Sequence, residues 1–412
     1  MAMQDRLTTR LLRSSFPALA AMFAALFMAY GTESPFLPAF LGERGASASQ
    51  LGLMLAAGTV VRLAVTPFIG ATADRLRAVR GTLALFGFLA GALSFTYLLG
   101  SGFVLLLGLS LLNAFATAPL APLADAIALP AARREGKFDY GWVRGVGSGA
   151  FVLGTLASGR IVAWKGLWTI AATSGILFLL LGVLARLAPA PAPERDPAAQ
   201  RPGTAGPPAT AAWRDLFGNP LFRRVMIVAA LVIGSHALND TFAVIRWQAA
   251  GLSPGTISIL WSESVVSEVI IFLLVGPPLL RRIGPARCAA IAAAAGVLRW
   301  AVLAETSAVP ALAMIQLTHG LTFALLHLAN MQLIGAAVPP EQTASAQTLY
   351  ATVGLSIASA ILTAASGFLY GRFGPASFWL SAALCAAALP LTVGLQPSRD
   401  VRNADPAPPT PR

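Results

Sequence analysis

Residues 188–212 read APAPAPERDPAAQRPGTAGPPATAA. Pro189, Pro191, Pro193, Pro197, Pro202, Pro207 and Pro208 are spaced among alanines and a few charges. Proline lacks the N–H that a helix needs, and its ring clashes with the preceding turn. The stretch also has little apolar surface to bury, so it reads as a flexible linker. Six apolar segments precede it, at roughly 16–41, 49–73, 81–100, 102–129, 141–163 and 167–187. Six follow it, at roughly 221–248, 254–279, 287–304, 308–337, 343–370 and 375–395. The predicted organisation is therefore two halves, 1–187 and 220–396, joined by a Pro/Ala-rich linker at 188–219 and followed by a tail at 397–412.

Composition supports the same reading. The chain has 412 residues, 56% hydrophobic and only 11% charged, with a mean hydropathy of +0.72. A soluble chain is about 25% charged, because ions cover its surface. Twelve membrane helices of about 20 residues use roughly 240 positions, close to the hydrophobic content. The expected fold class is an all-α membrane protein with twelve transmembrane helices in two pseudo-symmetric six-helix bundles. The first segment is too long for the apolar core of a signal peptide and reads as a retained helix.

A net charge of +12 could suggest nucleic acid, but the placement of the charges argues for topology instead. Alternate connections carry Arg6, Arg10 and Arg13; Arg75, Arg77 and Arg80; Arg133, Arg134 and Lys137; and the basic residues from Arg186 through Arg224. Arg281, Arg282, Arg287, Arg399, Arg402 and Arg412 continue the series. The opposite set of connections has only Arg44, Arg160, Lys165 and Arg372. The positive-inside bias places both termini in the cytoplasm of an inner-membrane protein. Cys288 and Cys385 lie in apolar runs and imply neither a disulfide framework nor a metal centre. No cofactor is implied, and the expected unit is a monomer.

A weak internal repeat accompanies the two halves. Gly70-x-x-x-Asp74-Arg75-x-Arg77 closes segment 2, and Gly276-x-x-x-Leu280-Arg281-Arg282 closes segment 8. In the first copy, an aspartate at the helix end among arginines is expected to clip neighbouring helices together.

Nine ionisable groups fall inside segments: Arg62, Arg144, Arg246, Arg299, Glu33, Asp125, Asp240, Glu263 and Glu268. A charge near the bilayer centre costs at least about 2.5 kcal/mol, so these groups line a polar path or pair with one another. With helix ends placed near 129 and 141, Asp125 and Arg144 reach equal depth and are expected to pair. Such a pair either receives a substrate or orients segments 4 and 5. At 100° per residue, Gln316, His319, His327 and Asn330 share one face of segment 10, a candidate proton or substrate path. His236, Asn239 and Asp240 share a face of segment 7, where the Asp240 carboxylate could carry a proton. Glu263 and Glu268 are 140° apart on segment 8 and cannot share a face; Glu268 is the better coupling candidate. Arg246 is expected to snorkel. Pro35 and Pro38 are expected to interrupt segment 1 beside Glu33. Gly145, Gly147, Gly149 and Gly154 are expected to let segment 5 approach its neighbours closely.

No P-loop, metal-ligand spacing or nucleophile elbow occurs, which disfavours an ATP-driven pump or a soluble-enzyme site. Pro35-Phe-Leu-Pro38, the Gly70–Arg77 turn, Tyr140-Gly-Trp-Val-Arg144, Arg299-Trp300 and the run His319-Gly-Leu-Thr-Phe-Ala-Leu-Leu-His327 resemble the major facilitator superfamily. Within it, the chain resembles the phenylpropionate-permease-like group, relatives of lactose permease and of nucleoside–proton symporters. The resemblance implies a substrate pair at Asp125 and Arg144, a substrate-binding acid at Glu268, and matching roles for Arg299 and His319. Gln316 stands where the lactose permeases have a lysine, and Thr322 where they have the proton-releasing glutamate. The proton carrier expected here is therefore another group among Glu268, Asp240, Glu33 and His319. The resemblance implies proton-coupled symport of a small organic solute such as an aromatic carboxylate. Sugar or nucleoside symport, drug-efflux antiport and a membrane-embedded enzyme are the alternatives.

Overall fold

The computed structural model of the protein describes residues 14–188 and 209–395. Most of the expected linker (189–208), the N-terminal Arg6, Arg10 and Arg13, and the tail at 397–412 lie outside the described residues. The described residues form helices and short connections. The membrane helices are α1 (Phe16–Glu43), α2 (Ala48–Arg75), α3 (Val79–Leu99), α4 (Phe103–Glu135), α5 (Tyr140–Lys165), α6 (Trp168–Leu187), α7 (Pro220–Ala249), α8 (Pro254–Ile283), α9 (Pro285–Glu305) and α10 (Val309–Ala337). A last apolar stretch, Thr343–Thr392, has 50 residues. At 1.5 Å per residue it measures about 75 Å, more than twice the hydrocarbon thickness of about 30 Å. It divides at Gly374, whose φ is +55°, into α11 (343–373) and α12 (Phe378–Thr392). Twelve membrane helices result. A short helix, Ala209–Gly218, precedes α7.

The described residues pack as two compact units. The first holds 14–188 together with 238–263 and 363–375, and the second holds 209–237, 264–362 and 376–395. The division passes through α7, α8 and α11, so the stretches around the α7–α8 turn and the end of α11 pack with α1–α6.

Inside the first unit, small residues allow close helix approach. A Cβ on Gly52 of α2 would stand 2.8 Å from the Gly367 Cα of α11, and one on Gly159 of α5 would collide with Ser258 of α8. Trp261 Nε1 donates to Ser34 Oγ at 3.1 Å across α8 and α1. Of the four α5 glycines expected to pack closely, Gly147 (against Phe27) and Gly154 (against Met28) do so. Gly145 and Gly149 face open space, because they lie on other faces of the same helix.

Two expectations about local structure are corrected. Pro35 and Pro38 do not interrupt α1, which runs unbroken from Phe16 to Glu43. Proline at 35 removes the N–H that would bond the Gly31 carbonyl, and the Thr155 hydroxyl of α5 fills that acceptor at 2.9 Å. A neighbouring helix thus replaces the lost bond, as membrane helices permit. Asp74 does not clip helices together, since among the described residues it makes no ion pair. Backbone bonds from Arg77 to the Asp74 carbonyl (3.0 Å) and from Ala78 to the Ala73 carbonyl (2.9 Å) close that turn. The tie between neighbours comes instead from Arg80, whose Nη1 donates to the Ala188 carbonyl at the end of α6 at 3.1 Å. The two copies of the repeat also differ in packing. Gly70 faces open space, whereas Gly276 packs against Leu328 and the backbone of Ile271.

Candidate functional site

In the first unit, Arg144 Nη1 lies 3.7 Å from Asp125 Oδ1, with side-chain exposures of 42% and 39%. The pair is partly open and therefore reachable by a ligand. Tyr140 donates its hydroxyl to the same Asp125 oxygen at 2.7 Å, and the Arg144 guanidinium lies over the Phe27 ring, 4.8 Å from its centroid. The equal-depth argument from helix ends fails in detail. α4 continues past Pro130 to Glu135, so Asp125 sits ten residues from its end, whereas Arg144 sits four from the start of α5. The residues meet because α4 projects beyond the start of α5. Tyr140, one helical turn before Arg144, shares its face of α5, and the i,i+4 spacing could have revealed it.

The first unit also holds Glu33 and Arg62. Glu33 is half-buried on α1, with the Ser174 hydroxyl of α6 beside its carboxylate and Arg62 of α2 in its electrostatic field. Asn239 Nδ2 donates to Asp240 Oδ1 at 3.2 Å on α7. Asn239 is buried and Asp240 exposed. Glu263 is half-buried on α8. Arg246 does not snorkel: it is 7% exposed and packed inside the unit near Tyr370.

The second unit gathers a different group. Arg299 on α9 has no exposed surface. Its Nη2 donates to Gln316 Oε1 at 2.6 Å, and its Nη1 to the Ile315 carbonyl at 3.0 Å. The carbonyl-type partners that this arginine requires are thus on α10. His319 Nε2 stands 3.6 Å from Glu268 Oε2. His319 also meets the ring of His236 edge-on at 5.1 Å and stacks on Phe323. His236 packs on Trp300 at 5.0 Å.

The α-helical pattern of α7 breaks at Ser235 and His236. There Ser235 Oγ accepts from Trp300 Nε1 at 2.8 Å, and its carbonyl accepts from Ser381 Oγ of α12 at 2.9 Å. Neighbouring side chains thus hold the break that turns His236 toward His319.

A turn at 317–318 and a π-helical segment, Leu321–Leu325, interrupt the regular helix along the stripe expected on α10. Bonds from i to i+5 advance each residue by less than 100°, yet His319 and His327 both stay near Glu268: His319 Nε2 is 3.6 Å from its carboxylate, and His327 lies within its electrostatic field. Gln316 and His319 meet α9, α7 and α8. His327 lies beside Phe272 and Tyr350, and Asn330 Nδ2 donates to the Tyr350 hydroxyl at 3.2 Å. A second π segment, Ile271–Val275, follows Glu268 on α8, and Gly320 N–H donates to Ser267 Oγ at 3.0 Å between the two helices. Tyr350 opens a third π segment, Tyr350–Ile357, and no sequence signal marked Tyr350 or any of the three.

A family model described as the MFS_1 like family matches residues 17–381. The chain is 34% identical over 393 residues to the Escherichia coli (strain K12) protein named "Probable 3-phenylpropionic acid transporter", covering 92% of this chain and 98% of that one. It is 24% identical over 362 residues to the "Maltose permease" of Geobacillus stearothermophilus, covering 87% and 89% of the two chains. Among solved structures, the nucleoside transporter NupG superposes with a TM-score of 0.76 at 16% identity, over 94% of this chain and 99% of that one. At that identity the likeness is one of fold.

Proposed function

The chain belongs to the MFS_1 like family of the major facilitator superfamily, and from that premise we propose that it imports a small aromatic monocarboxylate, of the phenylpropionate class, together with protons. Membership makes it an integral membrane transport protein of small solutes and not an enzyme. The finer reading rests above all on the partly open Asp125–Arg144 pair, a charge pair that a polar solute can enter. The name carried by the 34%-identical relative supports an aromatic acid as that solute.

In this reading, Asp125 and Arg144, with Tyr140 and Phe27 around them, take part in binding. Glu268 and His319 form the principal proton-handling pair, held in place by Arg299 and Gln316, with Asp240 and Glu33 as further carriers and His327 along the same helix. The halves 1–187 and 220–396 alternate in access, the Gly70–Asp74–Arg75–Arg77 turn takes part in the switch, and both termini face the cytoplasm. The protein acts as a monomer in the inner membrane of a bacterium.

The test is uptake of labelled 3-phenylpropionate into proteoliposomes with and without an inward proton gradient. Accumulation that a protonophore abolishes is expected. No uptake under either condition would remove this substrate, and competition by unlabelled maltose or nucleosides would redirect the assignment to those solutes.

A further inference from the structure

Of the four arginines among the intramembrane charges read from the sequence, Arg62, Arg144, Arg246 and Arg299, three are engaged or enclosed. Arg144 pairs with Asp125, Arg299 is sealed against Gln316, and Arg246 is 7% exposed. Arg62 differs from all three. It is exposed, and among the described residues it makes no ion pair. It sits fourteen residues after Ala48 and thirteen before Arg75, so about 20 Å from either end of α2. That is the depth of the bilayer centre, where a lipid-facing guanidinium is strongly disfavoured.

The faces of α2 settle where this exposure leads. At 100° per residue, Leu53, Val60 and Phe68 fall within about 60° of the direction opposite Arg62, and they are 45%, 57% and 71% exposed. They form the lipid-facing side. The residues within about 40° of Arg62 include Leu51, Gly58 and Ala73, all buried. Arg62 therefore lies on the side of α2 that carries its buried residues, away from the side that carries Leu53, Val60 and Phe68. Glu33, Tyr30 and Tyr97 lie within its electrostatic reach, but the Glu33 carboxylate stands beyond ion-pair distance.

The geometry points to Arg62 as the receptor for the carboxylate of the transported acid. This rests on the aromatic-acid reading above and deepens it. In the Asp125–Arg144 pair the arginine is already matched by a carboxylate, so an organic anion that enters there gains further from a second cation that no carboxylate holds. Among the described residues Arg62 presents a planar fork of donors with no ion-pair partner, suited to bidentate carboxylate binding, and the half-buried Tyr30 lies within its electrostatic reach.

The competing role for Arg62 is that of a counter-charge to Glu33 alone. Calorimetric titration of the purified full chain with 3-phenylpropionate and with its neutral analogue 3-phenylpropan-1-ol separates the two. Arg62→Gln should weaken the acid about 10- to 100-fold, the loss of a charge-assisted bond, while the alcohol shifts by about twofold or less. Arg62→Lys, which keeps the charge and loses the bidentate fork, should recover only part of the loss. The double variant Glu33→Gln/Arg62→Gln should stay as weak for the acid as Arg62→Gln alone. Equal effects on acid and alcohol, or recovery in the double variant, would overturn the assignment. A wild type that binds neither compound would instead remove the aromatic-acid reading, and this one with it; binding by the wild type with Arg62→Gln unaltered would remove Arg62 alone.

Discussion

Arg299 Nη2 stands 2.6 Å from Gln316 Oε1, and both side chains are sealed from solvent. A guanidinium buried in this way is held by its acceptors. Removing one leaves donors unpaired at about 1–3 kcal/mol. Gln316→Ala should therefore lower the unfolding temperature of the detergent-solubilised protein by several degrees, whereas Gln316→Glu, which keeps an acceptor, should lower it less. An unchanged melting temperature in Gln316→Ala would contradict the proposed positioning role.

The Asp125–Arg144 pair predicts an ordered series in transport. Asp125→Asn and Arg144→Gln should each reduce uptake at least about tenfold, the scale of one charge-assisted bond. Tyr140→Phe removes a neutral donor from the same carboxylate and should cost about two- to tenfold. A double neutral variant with intact uptake would reduce the pair to scaffold.

Glu268 and His319, 3.6 Å apart, predict a separation of coupling from exchange. Glu268→Gln should lose accumulation driven by a proton gradient while still exchanging internal for external substrate, because exchange needs no net proton release. Asp240→Asn and Glu33→Gln, read in the same two assays, would show whether either shares the task. Gradient-driven accumulation retained in all three would remove them as carriers.

The Gly52–Gly367 and Gly159–Ser258 contacts predict a seam that bulk would part. Tryptophan at 52 or 159 cannot be accommodated at these distances. In a background lacking Cys288 and Cys385, a cysteine replacing Ser34 should react with an impermeant maleimide about tenfold faster when Gly159→Trp is present. Equal labelling rates would show that the seam tolerates the ring.

Much of the candidate site was legible in the chain itself. The Asp125–Arg144 contact follows from the cost of isolated charges in lipid, whereas the roles proposed for Glu268 and His319 come from the family resemblance. Helix phase was less legible. The stripe of Gln316, His319, His327 and Asn330 assumed regular 100° steps; the π segment at 321–325 interrupts them, although His319 and His327 both stay near Glu268. Such segments depend on neighbours that accept an irregular turn, and no residue pattern marks them. Likewise, no residue pattern foretold the surroundings of Arg62 and Arg299, yet one is exposed and the other sealed.

Composition, the proline-rich break and the distribution of basic residues determined by themselves that this is an all-helical membrane protein with two sets of six spans. Those properties arise from the solvent, since each apolar segment must bury its own backbone bonds within the bilayer wherever the others lie. Pairing was decided only in the tertiary structure: which arginine meets a carboxylate, which meets carbonyls, and which is left exposed. A charged side chain's role depends on atoms within about 4 Å of it, and residues as distant as Arg299 and Gln316, or Gly31 and Thr155, come that close only when the helices pack.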